Sequence, residues 1–214
     1  MKTLPLFAAA AVALALSPFL RAEIQTKVVE YKDGDVTLEG WAAWDDSKKG
    51  PRPAVLVVHD WTGLQDYAKE RGRMIAELGY VAFCADIYGK GIRPTDPKET
   101  AERSGSFKSN LPLLRKRVNL AFDEMLKQSG VDKTKTAAIG YCFGGTTVLE
   151  LARSGADVTG VVSFHGGLAT SVPAALAAGN TVIAKPAEQT PLTGLRALAL
   201  FRSVGLPEEV AACA

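Results

Sequence analysis

The sequence predicts one α/β domain whose mostly parallel sheet carries helices on both faces. Three observations predict it. Apolar runs of strand length recur along the chain, amphipathic segments of helix length separate them, and 214 residues with 47% hydrophobic and 22% charged positions suit a single sizeable core. Alternation of the two segment types implies right-handed strand–helix–strand units.

Val28 to Tyr31 and Val36 to Ala43 flank the turn Asp33-Gly34 and read as a β-hairpin. Pro53 to His59 is a near-continuous apolar run, as a strand buried on both faces requires. Tyr67 to Leu78 carries Ala68, Met74, Ile75 and Leu78 among charges, a helical stripe closed by Gly79. Tyr80 to Ile87 reads as a second buried strand, and Leu111 to Leu126 as a helix with Leu114, Val118, Ala121, Phe122 and Met125 on one side. Thr136 to Ile139 is a short strand, Gly144 to Arg153 a helix, and Val158 to Phe164 a further strand. Past Thr170 the pattern weakens: Val172 to Ala178 is Ala-rich with helical character, and Leu192 to Val204 fits neither period. The domain thus occupies residues 23–170, and 171–214 form a degraded or unassigned C-terminal segment whose strands are expected to be missing.

The first twenty-two residues have the pattern of a secretory signal peptide. Lys2 supplies the positive start, Leu6 to Leu16 the apolar stretch, Pro18 a break and Ala22 a small residue at the cleavage point. The apolar stretch is short for a bilayer span, so an uncleaved anchor is the lesser reading and no stable span remains after cleavage. An exported, periplasmic or secreted protein follows. Removing residues 1–22 takes away Lys2 and Arg21 and leaves 23 basic against 23 acidic residues. A neutral chain without a basic run has no electrostatic footprint for nucleic acid. Small-molecule chemistry fits better.

Cys84, Cys142 and Cys213 cannot all pair internally, and no C-x-x-C motif suggests a redox or zinc site. Cys84 sits mid-strand between Phe83 and Ala85 and reads as core. Cys142 is different. Gly140-Tyr141-Cys142-Phe143-Gly144-Gly145 lies between a strand and a helix, the context of a nucleophile elbow. The sharp turn needs small neighbours, which Gly140 and Gly144 provide. The helix N-terminus favours thiolate over thiol, and the N–H of Phe143 points where an oxyanion develops. The blander reading of Cys142 is a small buried residue.

Five stretches in order carry a resemblance. They are V-V-H-D-W-T-G-L at Val57 to Leu64, R-x-x-A-E-L-G-Y ending at Tyr80, D-I-Y-G-K-G at Asp86 to Gly91, the elbow itself, and V-S-F-H-G-G-L at Val162 to Leu168. From about Val28 to Leu168 the chain resembles the dienelactone hydrolase family. The resemblance implies an α/β-hydrolase fold and carboxymethylenebutenolidase-like hydrolysis of enol-lactones and esters by a Cys-His-Asp triad, without cofactor or metal. It makes Cys142 the nucleophile and places Asp60 where the family commonly has a Glu that exchanges a proton with the thiol. Asp is one methylene shorter. The Trp61 N–H becomes the second oxyanion donor beside that of Phe143. Asp60 also reads as a cap or turn residue on type alone, and Arg93 as a carboxylate binder or, better, an ordinary solvated side chain.

The triad's second half is not recognisable. In this fold acid and histidine follow the nucleophile, yet the only histidines are His59 and His165, and no Asp follows Asp157. His165 with Asp157 has the right order but leaves no room for the acid's strand and loop, so a satisfied structural His is the better reading. A frameshift or truncation between about Thr170 and Leu206 is the expected cause. Losing the last strands would leave Val158 to Phe164 as an open edge. Three functions compete: a cysteine-dependent lactone or ester hydrolase with impaired activity, a catalytically inactive remnant, and a thiol-bearing binding protein.

Overall fold

A computed structural model of the chain describes residues 23–169 and the strand backbones of 181–185 and 211–213. The expected leader and the Ala-rich stretch from Val172 lie outside the described residues. One eight-stranded sheet runs in the order β1-β2-β4-β3-β5-β6-β7-β8. Its first edge is the predicted hairpin, β1 (Ile24–Asp33) antiparallel to β2 (Val36–Asp45), with Gly34 at a φ of 59° in the turn. β2 joins β4 (Val81–Ala85) antiparallel, and from β4 onward every pairing is parallel.

β3 (Arg52–Val58) and β4 are the apolar runs of the sequence, and Leu56, Val57, Val58 and the middle of β4 are fully buried. α1 (Asp66–Glu77) covers one face through Ala68, Gly72 and Ala76, spaced a turn apart. A Cβ on Gly72 would stand 2.7 Å from the Cys84 sulfur, so the small stripe is what lets this helix lie close. The opposite face is covered by α3 (Leu111–Leu126) and α4 (Phe143–Arg153). α3 buries Leu114, Val118, Ala121, Phe122 and Met125, the side the sequence assigned to the core. On α4, Glu150 is fully buried between Arg115 of α3 and Arg153, both 2.8 Å or less away. Arg153 also donates to the Leu168 carbonyl.

One helix falls outside the sequence reading. α2 (Pro97–Lys108) buries only Thr100, Ser104 and Phe107, so it has no apolar stripe to detect. Its start is nonetheless written in the chain: Asp96 accepts from the N–H groups of Lys98 and Glu99, and Pro97 occupies the first turn. β5 (Val131–Tyr141) is also longer than its apolar part.

β6 (Gly160–Phe164) is not the open edge that the sequence suggests. β7 (Thr181–Lys185) pairs with it in parallel and β8 (Ala211–Cys213) pairs with β7, two short strands where the pattern assigns none. The mostly parallel sheet with helices on both faces is the architecture expected. No helix among the described residues is long and apolar enough to cross a membrane.

Candidate active site

β3 and β5 lie side by side in parallel, with Val58 opposite Gly140, so the segments that follow them leave the sheet together. The chain moves from β3 outward to β4 on one side, and from β5 to β6 on the other. Ligands of open α/β sheets bind at such a reversal, beyond the carboxyl ends of the strands. His59 to Gly63 and Tyr141 to Gly144 both stand there.

Cys142 adopts φ 55° and ψ −111°, a left-handed conformation that β-carbon residues avoid unless their surroundings impose it. Its N–H donates to Phe164 O at 2.9 Å and its carbonyl accepts from Thr146 N–H, so the strained residue is pinned at both ends. A Cβ on Gly140 would collide with the Gly144 carbonyl, and one on Gly144 would lie 2.5 Å from His59 O and against Val58 O. Both glycines are therefore steric requirements of this bend. A second pair escaped sequence reading: Gly145 and Gly166 touch across α4 and the end of β6, where a Cβ on Gly166 would come within 2.5 Å of Thr146 N. Cys142 is partly exposed. Cys84 is the buried one; its S–H donates to Ala68 O and burial pushes its pKa up to about 12.

Asp60 is a turn-former. Its Oδ1 accepts the Thr62 N–H at 2.8 Å and the Thr62 hydroxyl at 2.5 Å, an Asx turn that bends the segment after β3. Tyr88 joins this acid to the elbow: the charges of Asp60 and Cys142 both bear on its hydroxyl, and burial followed by these two raises its pKa. Arg93 is not a solvated side chain. It is half-buried and donates to the carbonyls of Leu64, Gly89 and Ile92, tying the segments after β3 and β4 together.

Neither histidine forms a triad in the described residues. His59 is buried, donates from Nδ1 to Asp60 O at 2.5 Å and accepts the Ile87 N–H at Nε2, so both ring nitrogens are occupied. His165 lies beside the elbow at a φ of 45°, exposed and without a side-chain hydrogen bond among the described residues. Asp157 is at the other end of β6; five strand residues at ~3.3 Å each separate it from His165. It cannot orient that ring.

Burial holds the His59 pKa below the usual imidazole value; Asp60 and Asp86 oppose this and Arg93 adds to it. The unfolded chain therefore takes up the proton first. This contribution to stability is complete above pH ~6.5 and is lost as pH falls toward the depressed folded value. Urea unfolding of the wild type is expected to show a loss of up to about 1 kcal/mol between pH 7.5 and 5.5 that His59→Asn lacks. Equal pH slopes for the two proteins would show that His59 is not the group responsible.

Residues 38–203 match the model of the dienelactone hydrolase family. The chain belongs to the dienelactone hydrolase family. The carboxymethylenebutenolidase of a Pseudomonas species is 31% identical over 117 residues, which are 50% of this chain and 47% of that protein. The chain thus spans about half the length of the curated relatives it matches. Among solved structures, a dienelactone hydrolase-like promiscuous phosphotriesterase from metagenomic libraries superposes with a TM-score of 0.80 at 35% identity, covering 90% of this chain and 81% of that one. A different likeness is short: 43 residues, 20% of the chain, are 54% identical to cytosolic aldehyde dehydrogenase 1 of Elephantulus edwardii and cover 9% of that enzyme.

Proposed function

We propose that this dienelactone hydrolase family member cleaves small lactones or esters with Cys142 as nucleophile, needs no cofactor, and turns over slowly. The observation that carries the reading is the strained Cys142 at the head of α4, partly exposed beside the segment after β3. In the proposed reaction the thiolate sulfur attacks the substrate carbonyl carbon. The carbonyl electrons move onto oxygen, which accepts the N–H groups of Trp61 and Phe143, and collapse expels the alcohol to leave a thioester. Water then releases the acid. Asp60 stands as the group exchanging the thiol proton, through the carboxylate oxygen that Thr62 does not occupy. With both its nitrogens engaged, His59 does not take this proton; in a comparable triad loss of the histidine costs on the order of 10⁶ in rate. The leader pattern of residues 1–22 supports placing the protein outside the cytoplasm.

Hydrolysis of p-nitrophenyl acetate is expected to begin with one equivalent of p-nitrophenolate per protein, followed by slow turnover, and Cys142→Ala is expected to remove the burst. A burst that survives the substitution refutes the nucleophile. Labelling without any turnover identifies an inactive remnant, and reversible disulfide exchange a thiol-bearing binding protein.

A second reading, favoured by the dehydrogenase-like stretch, concerns the segment after Leu168. Outside the leader-bearing start, only 92–139 and the residues past 168 are free of the five stretches and long enough for 43 residues; the latter is the place this reading takes, because it is where the family's acid and histidine are not recognisable. The family model nonetheless runs to residue 203, although none of the five stretches lies beyond 168. A composite coding sequence then accounts for the absent acid and histidine as a frameshift does. Sequencing the coding DNA through codons 160–214 distinguishes them: a frame that restores a family His segment when shifted favours frameshift, and none in any frame favours the composite.

A further inference from the structure

We propose that His59 and Tyr88 are positioning residues that hold the Trp61 peptide with its N–H turned outward as an oxyanion donor. The inference rests on the reading of Cys142 as nucleophile and adds the parts that make its surroundings selective for acyl transfer.

The argument begins with the peptide plane. In a trans peptide the carbonyl and the N–H point in opposite directions. The carbonyl of Asp60 is taken by His59 Nδ1–H at 2.5 Å, so the N–H of the same peptide, that of Trp61, is directed away from the ring. His59 Nε2 accepts from the Ile87 N–H at 3.2 Å, which leaves the proton on Nδ1 and fixes the tautomer. The next peptide is tied at both ends as well. Tyr88 donates its hydroxyl to Trp61 O at 3.0 Å, and the Thr62 N–H goes to Asp60. Of the main-chain groups around Trp61, its own N–H has no recorded acceptor among the described residues.

The same two rings place the other donor. His59 stacks on Phe143 with centroids 5.7 Å apart, Tyr88 meets Phe143 at 5.3 Å, and His59 and Tyr88 meet edge to face at 4.8 Å. All three rings are buried. Phe143 is the first residue of α4, where main-chain N–H groups have no partner within the helix. One aromatic cluster therefore spans both proposed donors, and a shift of either ring changes the distance between them.

Two reactions of one sulfur separate positioning from mere support. Acylation of Cys142 by p-nitrophenyl acetate builds negative charge on the carbonyl oxygen; the thiol proton passes by way of Asp60 to solvent and p-nitrophenolate leaves. Alkylation by iodoacetamide forms a carbon–sulfur bond and expels iodide without an oxyanion. Both rates are measured at one pH, subtracting Cys142→Ala, for the wild type, Tyr88→Phe, His59→Leu and His59→Asn. Tyr88→Phe keeps the ring and is expected to slow acylation about tenfold, with alkylation within twofold. His59→Leu is expected to slow acylation on the order of 10²-fold, the scale of one lost donor. His59→Asn, whose amide N–H sits where Nδ1 does, is expected to recover most of it. Should His59→Leu fail to fold, Tyr88→Phe decides alone. Rates that fall together, or an unchanged ratio, overturn the proposal while Cys142 remains the nucleophile. A wild-type ratio no higher than that of free cysteine sinks the oxyanion site itself.

Discussion

Gly144→Ala is expected to cost at least about 3 kcal/mol and to lower the melting temperature by roughly 10 °C. The added carbon lands on the Val58 carbonyl and 2.5 Å from that of His59, and neither can rotate away because both belong to the main chain of β3 and its exit. Relief requires α4 to move off the sheet, and α4 is buried along nearly its whole length. Gly105→Ala supplies the opposite sign. It lies in α2 with nothing within 4 Å of the new carbon, so the better helix former is expected to stabilise by about 0.5–1 kcal/mol. Thermal melts of the two variants check both; Gly144→Ala melting within two or three degrees of wild type would mean that the elbow is far looser than its contacts imply.

Arg117→Met ranks second, with an expected loss of about 3 kcal/mol, the lower end for removing one partner of a buried ion pair. Arg117 is buried on α3 and does three jobs. Its Nε donates to Asp33 Oδ2 at 3.0 Å, and its Nη1 to the carbonyls of Ile87 at 2.7 Å and Tyr88 at 2.8 Å. Methionine refills the volume and strands two carbonyls and part of a carboxylate. Lys116, 2.6 Å from the other oxygen of Asp33, keeps the loss from being larger. Lys116 first and Arg117 second hold the Asp33 carboxyl below its ordinary pKa, so this contribution is present above pH ~4 and lost as pH falls further. Adding Asp33→Asn to Arg117→Met is expected to recover part of the loss. A double variant less stable than the single one contradicts the account.

The boundaries of α3 and the elbow could be read directly because their causes are local. A stripe from Leu114 to Met125 makes one face of α3. At the elbow, a cysteine flanked by Gly140 and Gly144 between strand and helix marks a bend too tight for any β-carbon at those two positions. α2 stayed hidden because its core contacts are Thr100, Ser104 and one ring, although Asp96-Pro97 marked its start. β7 and β8 stayed hidden because runs of five and three residues are too short to show a period of their own. Arg93 looked like any surface arginine; only the fold brings it to three carbonyls from two segments. His59 is the sharpest instance. Its identity was plain, but its role depends on which peptide each nitrogen reaches, and Ile87 is 28 residues away.

In the proposed reaction the groups offered to the carbonyl oxygen belong to the main chain of Trp61 and Phe143. Replacing either side chain with any residue but proline leaves the donor itself intact. Such a feature outlasts mutational drift that erases acids and bases. On this proposal, a lineage that had lost its imidazole would keep the anion cradle unaltered, ready for whichever proton acceptor a later insertion or a buffer component brings within reach.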